Sequence, residues 1–314
     1  MRKAKVVALL AALGMACSAT AFAAPVDFNG EVSLKYQRDR DVDGDSNRAM
    51  IGTLTVDAQT KIADDLTLFG RLGAQTISRY GFGDFAENET KKSVLAIDQF
   101  GVIWEKNELA FKLGRQDLEI GATSLLYSRS NSNIGKHSFV DGLTVNGFVG
   151  DTEIAAVLAK EDNKDEPDSR LYALRAAYSQ LENWTFGATL ARYDNREDTK
   201  TNHWAVDAAY QFGKSTLSAE VAKSNADAED QAYAVVWDHE CDDRTSFSVT
   251  GFRVENQASM GEQSDFDSGN KGIHYTVNYK LAENMNLEAV YKDQKQISDN
   301  RKNNSTEVTL TVAF

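Results

Sequence analysis

Apolar and polar residues alternate along this chain with a period of two, over stretches longer than most soluble strands need. In the last such stretch one face carries Thr306, Val308, Leu310, Val312 and Phe314, and the other carries polar or small residues. The first stretch, 26–37, alternates in the same way. This pattern is typical of a tilted strand that crosses a bilayer, apolar toward lipid and polar toward a wet interior.

Segments of this kind recur along the whole chain. We predict sixteen strands: 26–37, 48–62, 66–79, 93–105, 109–116, 138–149, 152–160, 170–179, 184–194, 202–212, 215–224, 231–238, 244–256, 271–281, 286–296 and 305–314. The expected fold is all-β, an antiparallel up-and-down transmembrane β-barrel. Two segments deviate: 152–160 is apolar on both faces, and the apolar phase of 244–256 shifts, which predicts a bulge at Gly251.

The connections between these segments alternate between short and long. The short ones are 63–65, 106–108, 150–151, 180–183, 213–214, 239–243 and 282–285, and the long polar ones are 38–47, 80–92, 117–137, 161–169, 195–201, 225–230, 257–270 and 297–304. Short periplasmic turns and long external loops are the asymmetry of an outer-membrane barrel. Aromatic residues at the strand ends predict a ring at each membrane interface: Trp104, Tyr178, Trp184, Tyr210, Phe212, Trp237, Tyr279 and Phe314 at one end, and Tyr36, Tyr80, Tyr172, Tyr193 and Tyr291 at the other.

The first 23 residues have the composition of a secretory signal peptide. A basic start is followed by an apolar run over 6–15 and by the small-residue cleavage site Ala21-Phe22-Ala23. The mature chain is therefore expected to span 24–314, with 31 basic and 47 acidic residues and a net charge of −16, because the leader holds three cations and no acid. This balance disfavours a nucleic-acid partner and favours cations near the protein. The chain has two prolines, Pro25 and Pro167, as a closed sheet requires.

Residues that carry chemistry are sparse. Cys241 is alone in the mature chain, so neither a disulfide nor a cysteine metal site is expected. Ser246 and His274 fall on neighbouring strands without a third partner for a hydrolase triad. The acidic loop 39–45 lacks the closing glutamate of a calcium loop and is interpreted as a solvated segment. We predict no cofactor, no metal and no enzymatic activity.

The longest connection, 117–137, suits a segment packed against an inner wall, because its middle, 120–126, is less polar than the other long loops. It follows a strand that ends in Gly114-Arg115. With the leader, sixteen strands and terminal Phe314, these features resemble the Gram-negative general porins. In that family the third external loop folds inward and narrows a water-filled channel, with acidic loop residues facing basic wall residues. The resemblance implies the same role for 117–137.

The resemblance and the inward phase of the strands together nominate six constriction residues. Gly114-Arg115 matches the family motif, which implies that Arg115 lies on the wall, with Asp117 and Glu119 as the nearest acidic candidates. Basic residues in the inward phase, Lys35, Arg71 and Arg175, could complete the narrowing. Charges facing each other across a narrow wet gap order polar solutes and tune ion preference.

The function expected from these observations is passive diffusion of small hydrophilic solutes and ions across the cell outer membrane, with a mild cation preference. The resemblance implies a homotrimer in contact with outer-membrane lipid and lipopolysaccharide. Two alternatives stay open: a substrate-specific channel, which would carry an aromatic or basic track along the lumen, and a barrel enzyme, which would have ten or twelve strands.

Overall fold

The structure, a computed structural model, describes residues 25–80, 82, 91–129, 134, 139–163, 167–195 and 200–314. The predicted signal peptide 1–23 lies outside the described residues. So do residues 130–133 and 135–137 of the predicted inward loop.

Almost all of the described chain is β-structure. The strands are β1 (Val26–Arg40), β2 (Ser46–Ala63), β3 (Leu66–Ile77), β4 (Ser93–Lys106), β5 (Leu109–Gln116), β6 (Leu118–Ile120), β7 (Tyr127–Arg129), β8 (Val140–Val149), β9 (Thr152–Glu161), β10 (Arg170–Leu181), β11 (Trp184–Asp194), β12 (Lys200–Phe212), β13 (Ser215–Ser224), β14 (Gln231–Glu240), β15 (Thr245–Val254), β16 (Asn270–Ala282), β17 (Met285–Gln296) and β18 (Lys302–Ala313). A single 3₁₀ turn, Met260–Glu262, is present among the described residues, and no helix there is long and apolar enough to cross a membrane.

Sixteen of these strands form one closed antiparallel barrel, and β6 and β7 form a separate hairpin. Each barrel strand pairs with its neighbours along the chain, except that β5 pairs with β8 and β1 closes the ring against β18. The closing register runs from Glu31 opposite Ala313 to Arg40 opposite Asn304. Gly30 and Phe314 extend it by exchanging backbone hydrogen bonds of 3.0 and 2.9 Å. All sixteen predicted segments are confirmed as barrel strands, with ends that differ by at most three residues.

The outward face of the barrel is apolar. Phe28 on β1 is 69% exposed and Leu190 on β11 is 65% exposed, values that a soluble sheet rarely tolerates over a whole surface. The aromatic residues predicted beside the short turns follow the same face, and Trp184 contacts Tyr210 with ring centroids 4.6 Å apart. Tyr193 departs from the prediction, because it faces inward and is buried.

The inner wall of β8–β15 is partly apolar, which explains both strands that deviated in the sequence. The predicted bulge at Gly251 is wrong, because β15 pairs with β14 and with β16 without a register shift. Phe252 and Val254 face inward and are 2% and 0% exposed. Val157 and Ala159 on β9 are buried in the same way. These residues pack against chain that lies inside the barrel rather than against water.

Candidate functional site

The hairpin of β6 and β7 lies inside the barrel. Leu118 and Ile120 on β6 are 6% and 4% exposed and pack into the apolar cluster of the inner wall. Glu119 lies between them and is exposed, because successive side chains of a strand point in opposite directions. The hairpin therefore presents an apolar side to the wall and a polar side to the lumen.

The connection between β6 and β7 is bonded to the wall at Glu220 on β13. The Oε2 atom of Glu220 accepts hydrogen bonds from the backbone N–H and the hydroxyl of Thr123, each at 2.7 Å. Gly121 approaches so closely that a Cβ there would lie 2.6 Å from Oε1 of Glu220. Since β13 is six strands from β5 around the barrel, this bond holds the loop far from the strand it leaves.

A second anchor surrounds Glu161 at the end of β9, which is fully buried. Its carboxylate accepts hydrogen bonds from the hydroxyls of Tyr127 (3.0 Å) and Tyr193 (3.1 and 3.2 Å) and from the amides of Gln263 and Asn163 (both 3.0 Å), and it forms an ion pair with Arg129 at 3.4 Å. Burial raises the pKa of the Tyr127 phenol well above its ordinary value, so that the phenol is the donor. Every polar group that converges here belongs to the wall or to an external loop.

The loop 257–269 also folds into the barrel, which the sequence reasoning missed. Ala258 and Met260 are fully buried in the same apolar cluster as the hairpin. The N–H of Met260 donates to the carbonyl of Leu126 at 2.8 Å, and the N–H of Ser128 donates to the carbonyl of Gln263 at 2.7 Å. The two infolded loops therefore form one hydrogen-bonded layer. The signal in the sequence was a set of apolar residues, Ala258, Met260 and Phe266, within an otherwise polar loop.

Acidic groups of the loop 257–269 lie near cations on the inward face of β17 and β18. Glu307 on β18 forms ion pairs with Lys35 on β1 at 2.9 Å and with Lys292 on β17 at 3.1 Å. Asp265 and Asp267 approach the same wall: Asp267 accepts a hydrogen bond of 2.8 Å from Gln294, which shares the inward face of β17 with Lys292. Burial raises the pKa of Asp265, an effect that the Lys292 ammonium partly offsets. Carboxylates of the infolded loop thus lie against the inward face of β17, close to the Lys292 ammonium.

Of the six residues nominated from the sequence, Lys35, Asp117 and Glu119 have side chains that stay partly exposed inside the barrel. Lys35 is 31% exposed beside Glu307, and Asp117 lies 3.7 Å from the ammonium of Lys112, an inward residue of β5. The hydroxyl of Ser124 donates to Glu119 at 2.9 Å.

Arg71 and Arg175 also face inward, but each is bonded to a carboxylate. Arg71 makes two hydrogen bonds of 3.0 Å to Asp98 and is 6% exposed. Arg175 forms a bidentate pair with Asp207 and is 21% exposed. Both guanidiniums are thereby neutralised and held against the wall.

Arg115 lies on the opposite face from the one predicted. It is paired with Phe100, which is 50% exposed on the outer surface, and it shares that face with Leu113 at 53%. Its guanidinium makes two hydrogen bonds of 2.9 Å to Asp141 and a 3.1 Å ion pair with Asp162. The inward positions of β5 are the even ones, so Arg115 cannot line the lumen.

Comparison with known proteins agrees with this architecture. The model of the Gram-negative porin family matches residues 123–259. These residues run from the loop tip at Thr123 through β8–β15 to the second infolded loop, and they include both anchors. This part of the chain is similar to the Gram-negative porins. The closed sixteen-stranded antiparallel barrel with an apolar outer face is the architecture of an outer-membrane protein.

Solved structures similar to this chain cover almost its whole length. The loop L8 deletion mutant of OmpT, an outer-membrane protein of Vibrio cholerae, is 14% identical, with a TM-score of 0.62 over 93% of this chain and 100% of that one. The anion-selective porin of Comamonas acidovorans is 13% identical, with a TM-score of 0.61 and coverage of 93% and 100%. OmpF of Salmonella typhi in complex with daunomycin is 17% identical, with a TM-score of 0.61 and coverage of 93% and 98%. No curated protein sequence matches the chain. At these identities the likeness concerns the fold.

Proposed function

We propose that this porin passes small hydrophilic solutes and ions by passive diffusion, without catalysis, and that its two infolded loops together set the size limit. The observation that carries the proposal is the layer formed by the hairpin and the loop 257–269, which is bonded to the wall at Glu220 and at Glu161. A layer held at both places narrows the lumen. It does not close the lumen, because the side chains of Lys35 and Lys292 on the inner wall stay 31% exposed.

We further propose a mild cation preference. Inward-facing acids on the barrel strands are more numerous than inward-facing cations: the acids are Asp27, Glu31, Asp39, Asp57, Asp98, Glu105, Glu153, Glu161, Asp207, Glu220, Asp238, Glu240, Glu288 and Glu307, and the cations are Lys35, Lys61, Arg71, Lys112, Arg175, Lys280 and Lys292. Fixed negative charge along a narrow wet passage raises the local concentration of cations. The fold does not decide the sign, because a similar barrel from Comamonas acidovorans is anion-selective.

The test is a planar-bilayer measurement on the purified mature chain. We expect ohmic single-channel currents and a reversal potential of the cation-selective sign under a tenfold KCl gradient. The variant Glu307→Gln leaves two wall ammoniums without their shared carboxylate, so the reversal potential should shift toward anions. Absence of channel currents would refute the diffusion proposal, and a reversal potential of the opposite sign would refute the cation preference alone.

We propose a homotrimer in contact with outer-membrane lipid and lipopolysaccharide as the assembled state. Small residues on the outer face of β2, Gly52 and Ala58, would let a neighbouring barrel approach closely. Chemical crosslinking in mild detergent should give trimers, and Gly52→Trp should shift the population toward monomers. A monomer that conducts normally would refute the trimer while leaving the channel intact.

A further inference from the structure

A polar cavity of about 230 Å³ lies on the inner wall of β12–β16, at the end of the barrel that carries the short turns. Two rows of inward side chains cross the strands there. Thr216, Asp238 and Ser248 are successive cross-strand partners, as are Glu240, Ser246 and Asn278. Side chains within a row are about 5 Å apart and the rows about 7 Å apart, so one small solute can contact both rows.

The inward face of β14 changes where the cavity begins. Ala232 and Ala234, nearer the loop end, are 1% and 0% exposed in the apolar cluster that includes the infolded loops. Asp238 and Glu240, farther along the same face, are exposed. On β13 the cavity begins four residues from the anchor at Glu220, about 10 Å along the membrane normal for a tilted strand. The cavity therefore lies on the short-turn side of the infolded loops.

The two carboxylates of the cavity are not neutralised by the protein. Asp238 and Glu240 form no ion pair and accept no side-chain hydrogen bond within the part of the chain that the structure describes. Asp207 on β12, by contrast, forms a bidentate pair with Arg175. The ammonium of Lys214, at the edge of the cavity, donates to a turn carbonyl at 3.5 Å. The negative charge of the cavity is thus available to a ligand.

The remaining side chains define which kind of cation fits. The hydroxyls of Ser246 and Ser248 and the amide of Asn278 can both donate and accept hydrogen bonds, so they match hydroxyl groups of a ligand. A bare metal ion needs six or so oxygens at roughly 2.3–2.6 Å, which two rows about 7 Å apart do not offer. Pockets for drug-sized molecules measure roughly 300–1,000 Å³, so this smaller cavity suits a solute of monosaccharide size.

We propose that this cavity is a binding site for a hydroxylated primary amine of monosaccharide size, such as an amino sugar. The ammonium group lies between the carboxylates of Asp238 and Glu240, and the ring hydroxyls bond to Ser246, Ser248 and Asn278. The inference rests on the proposed passage of hydrophilic solutes, because a solute reaches this site through the lumen.

The test is isothermal titration calorimetry of the full mature chain in detergent micelles, with glucosamine as the probe, at low ionic strength because salt screens exposed charges. Asp238→Asn with Glu240→Gln keeps both side-chain shapes and should weaken binding at least about tenfold. The matched variant is Glu31→Gln with Glu105→Gln, which removes the same charge from the inner wall near the same end, on β1 and β4. It should change binding by less than about threefold.

Two simpler probes separate recognition from attraction by charge alone. Glucose lacks the ammonium group and methylammonium lacks the hydroxyls, so each should bind the unmodified protein at least about tenfold more weakly than glucosamine. Ser246→Ala with Ser248→Ala should weaken the binding of glucosamine and leave that of methylammonium unchanged.

Several results would overturn the site. They are the absence of glucosamine binding to the unmodified protein, equal binding of methylammonium and glucosamine, and equal weakening in the two acidic variants. Far-UV circular dichroism and single-channel currents in KCl are measured for every variant to establish that each is folded and open. Normal KCl currents without glucosamine binding would refute the site and leave the channel proposal in place, whereas loss of currents in the unmodified protein would refute the channel proposal itself.

Discussion

The anchor at Glu161 makes the strongest quantitative prediction about the infolded loops. Glu161→Gln keeps the shape of the side chain and one acceptor but removes the charge that faces Arg129, which is 6% exposed. Breaking a buried ion pair by neutralising one partner costs about 3–5 kcal/mol. Arg129 keeps hydrogen bonds to Gln263 and Asn163 at 2.6 Å. We therefore expect a cost at the lower end of this range, a loss of about 3 kcal/mol in the stability of the infolded loops.

This loss should appear as local opening of the loops, not as unfolding of the barrel. A change of about 3 kcal/mol corresponds to an increase of about 100-fold in the opening equilibrium. Native-state hydrogen exchange should therefore show about 100-fold weaker protection at the amides of Ser128 and Met260, which bond one infolded loop to the other. Amides between β1 and β18 should keep their protection.

A matched control separates the anchor from a general effect of charge. Glu153 lies on the inward face of the same strand but is exposed at its other end, so Glu153→Gln should leave exchange at Ser128 and Met260 unchanged. Unaltered protection in Glu161→Gln would refute the idea that this carboxylate holds the layer in place. Equal loss in both variants would do the same.

Three further perturbations test other parts of the account. Burial raises the pKa of Asp265, so its contribution to loop stability is complete below the unfolded value of 3.8 and is lost as the pH rises through the raised folded value. The protection factors of the loop amides, in which the pH dependence of chemical exchange is divided out, should be higher at acid pH, and Asp265→Asn should remove that difference. Gly121→Ala places a methyl group 2.6 Å from a carboxylate oxygen of Glu220, at a backbone φ of +104° that strains any residue with a Cβ, so the free energy of unfolding should fall by about 1–3 kcal/mol. The control Gly251→Ala, whose Cβ would have nothing within 4 Å, should be nearly neutral in thermal denaturation. Arg115→Glu should leave the reversal potential unchanged because its side chain lies outside the lumen, whereas Lys35→Glu should increase the cation preference. An equal shift in the two variants would contradict the outward face assigned to Arg115.

The strands could be predicted from the sequence because a barrel in lipid demands alternation on every strand at once. Deviations from that alternation were informative as well. Strand β9 is apolar on both faces because Val157 and Ala159 pack against the infolded loops. The apparent phase shift near Gly251 has the same origin, since Phe252 fills space inside the barrel.

The constriction could be predicted only in part. The inward loop 117–137 was detectable from its apolar middle, and the inward face of Lys35 followed from strand phase. The predicted inward face of Arg115 was wrong. The sequence does contain the correct face, because Phe111 and Leu113 lie at alternate positions with Arg115 and are apolar, as outward residues are. The Gly114-Arg115 motif and the alternation of β5 point to opposite faces, and the structure follows the alternation. Long-range partners such as Glu161 and Glu220 left no local signal, because their roles depend on chain more than 30 residues away.

The hydrogen bonds between Gly30 and Phe314 extend the pairing of the first and last strands of the barrel, and Lys35 pairs with Glu307 across 272 residues. Until β18 pairs with β1, a partly assembled sheet in the bilayer has two open edges. The backbone N–H and C=O groups of these edges have no water to bond there. We therefore expect the whole barrel to insert cooperatively, with few stable, partly assembled intermediates. Loss of even a few C-terminal residues should block biogenesis at its final step rather than produce a smaller pore.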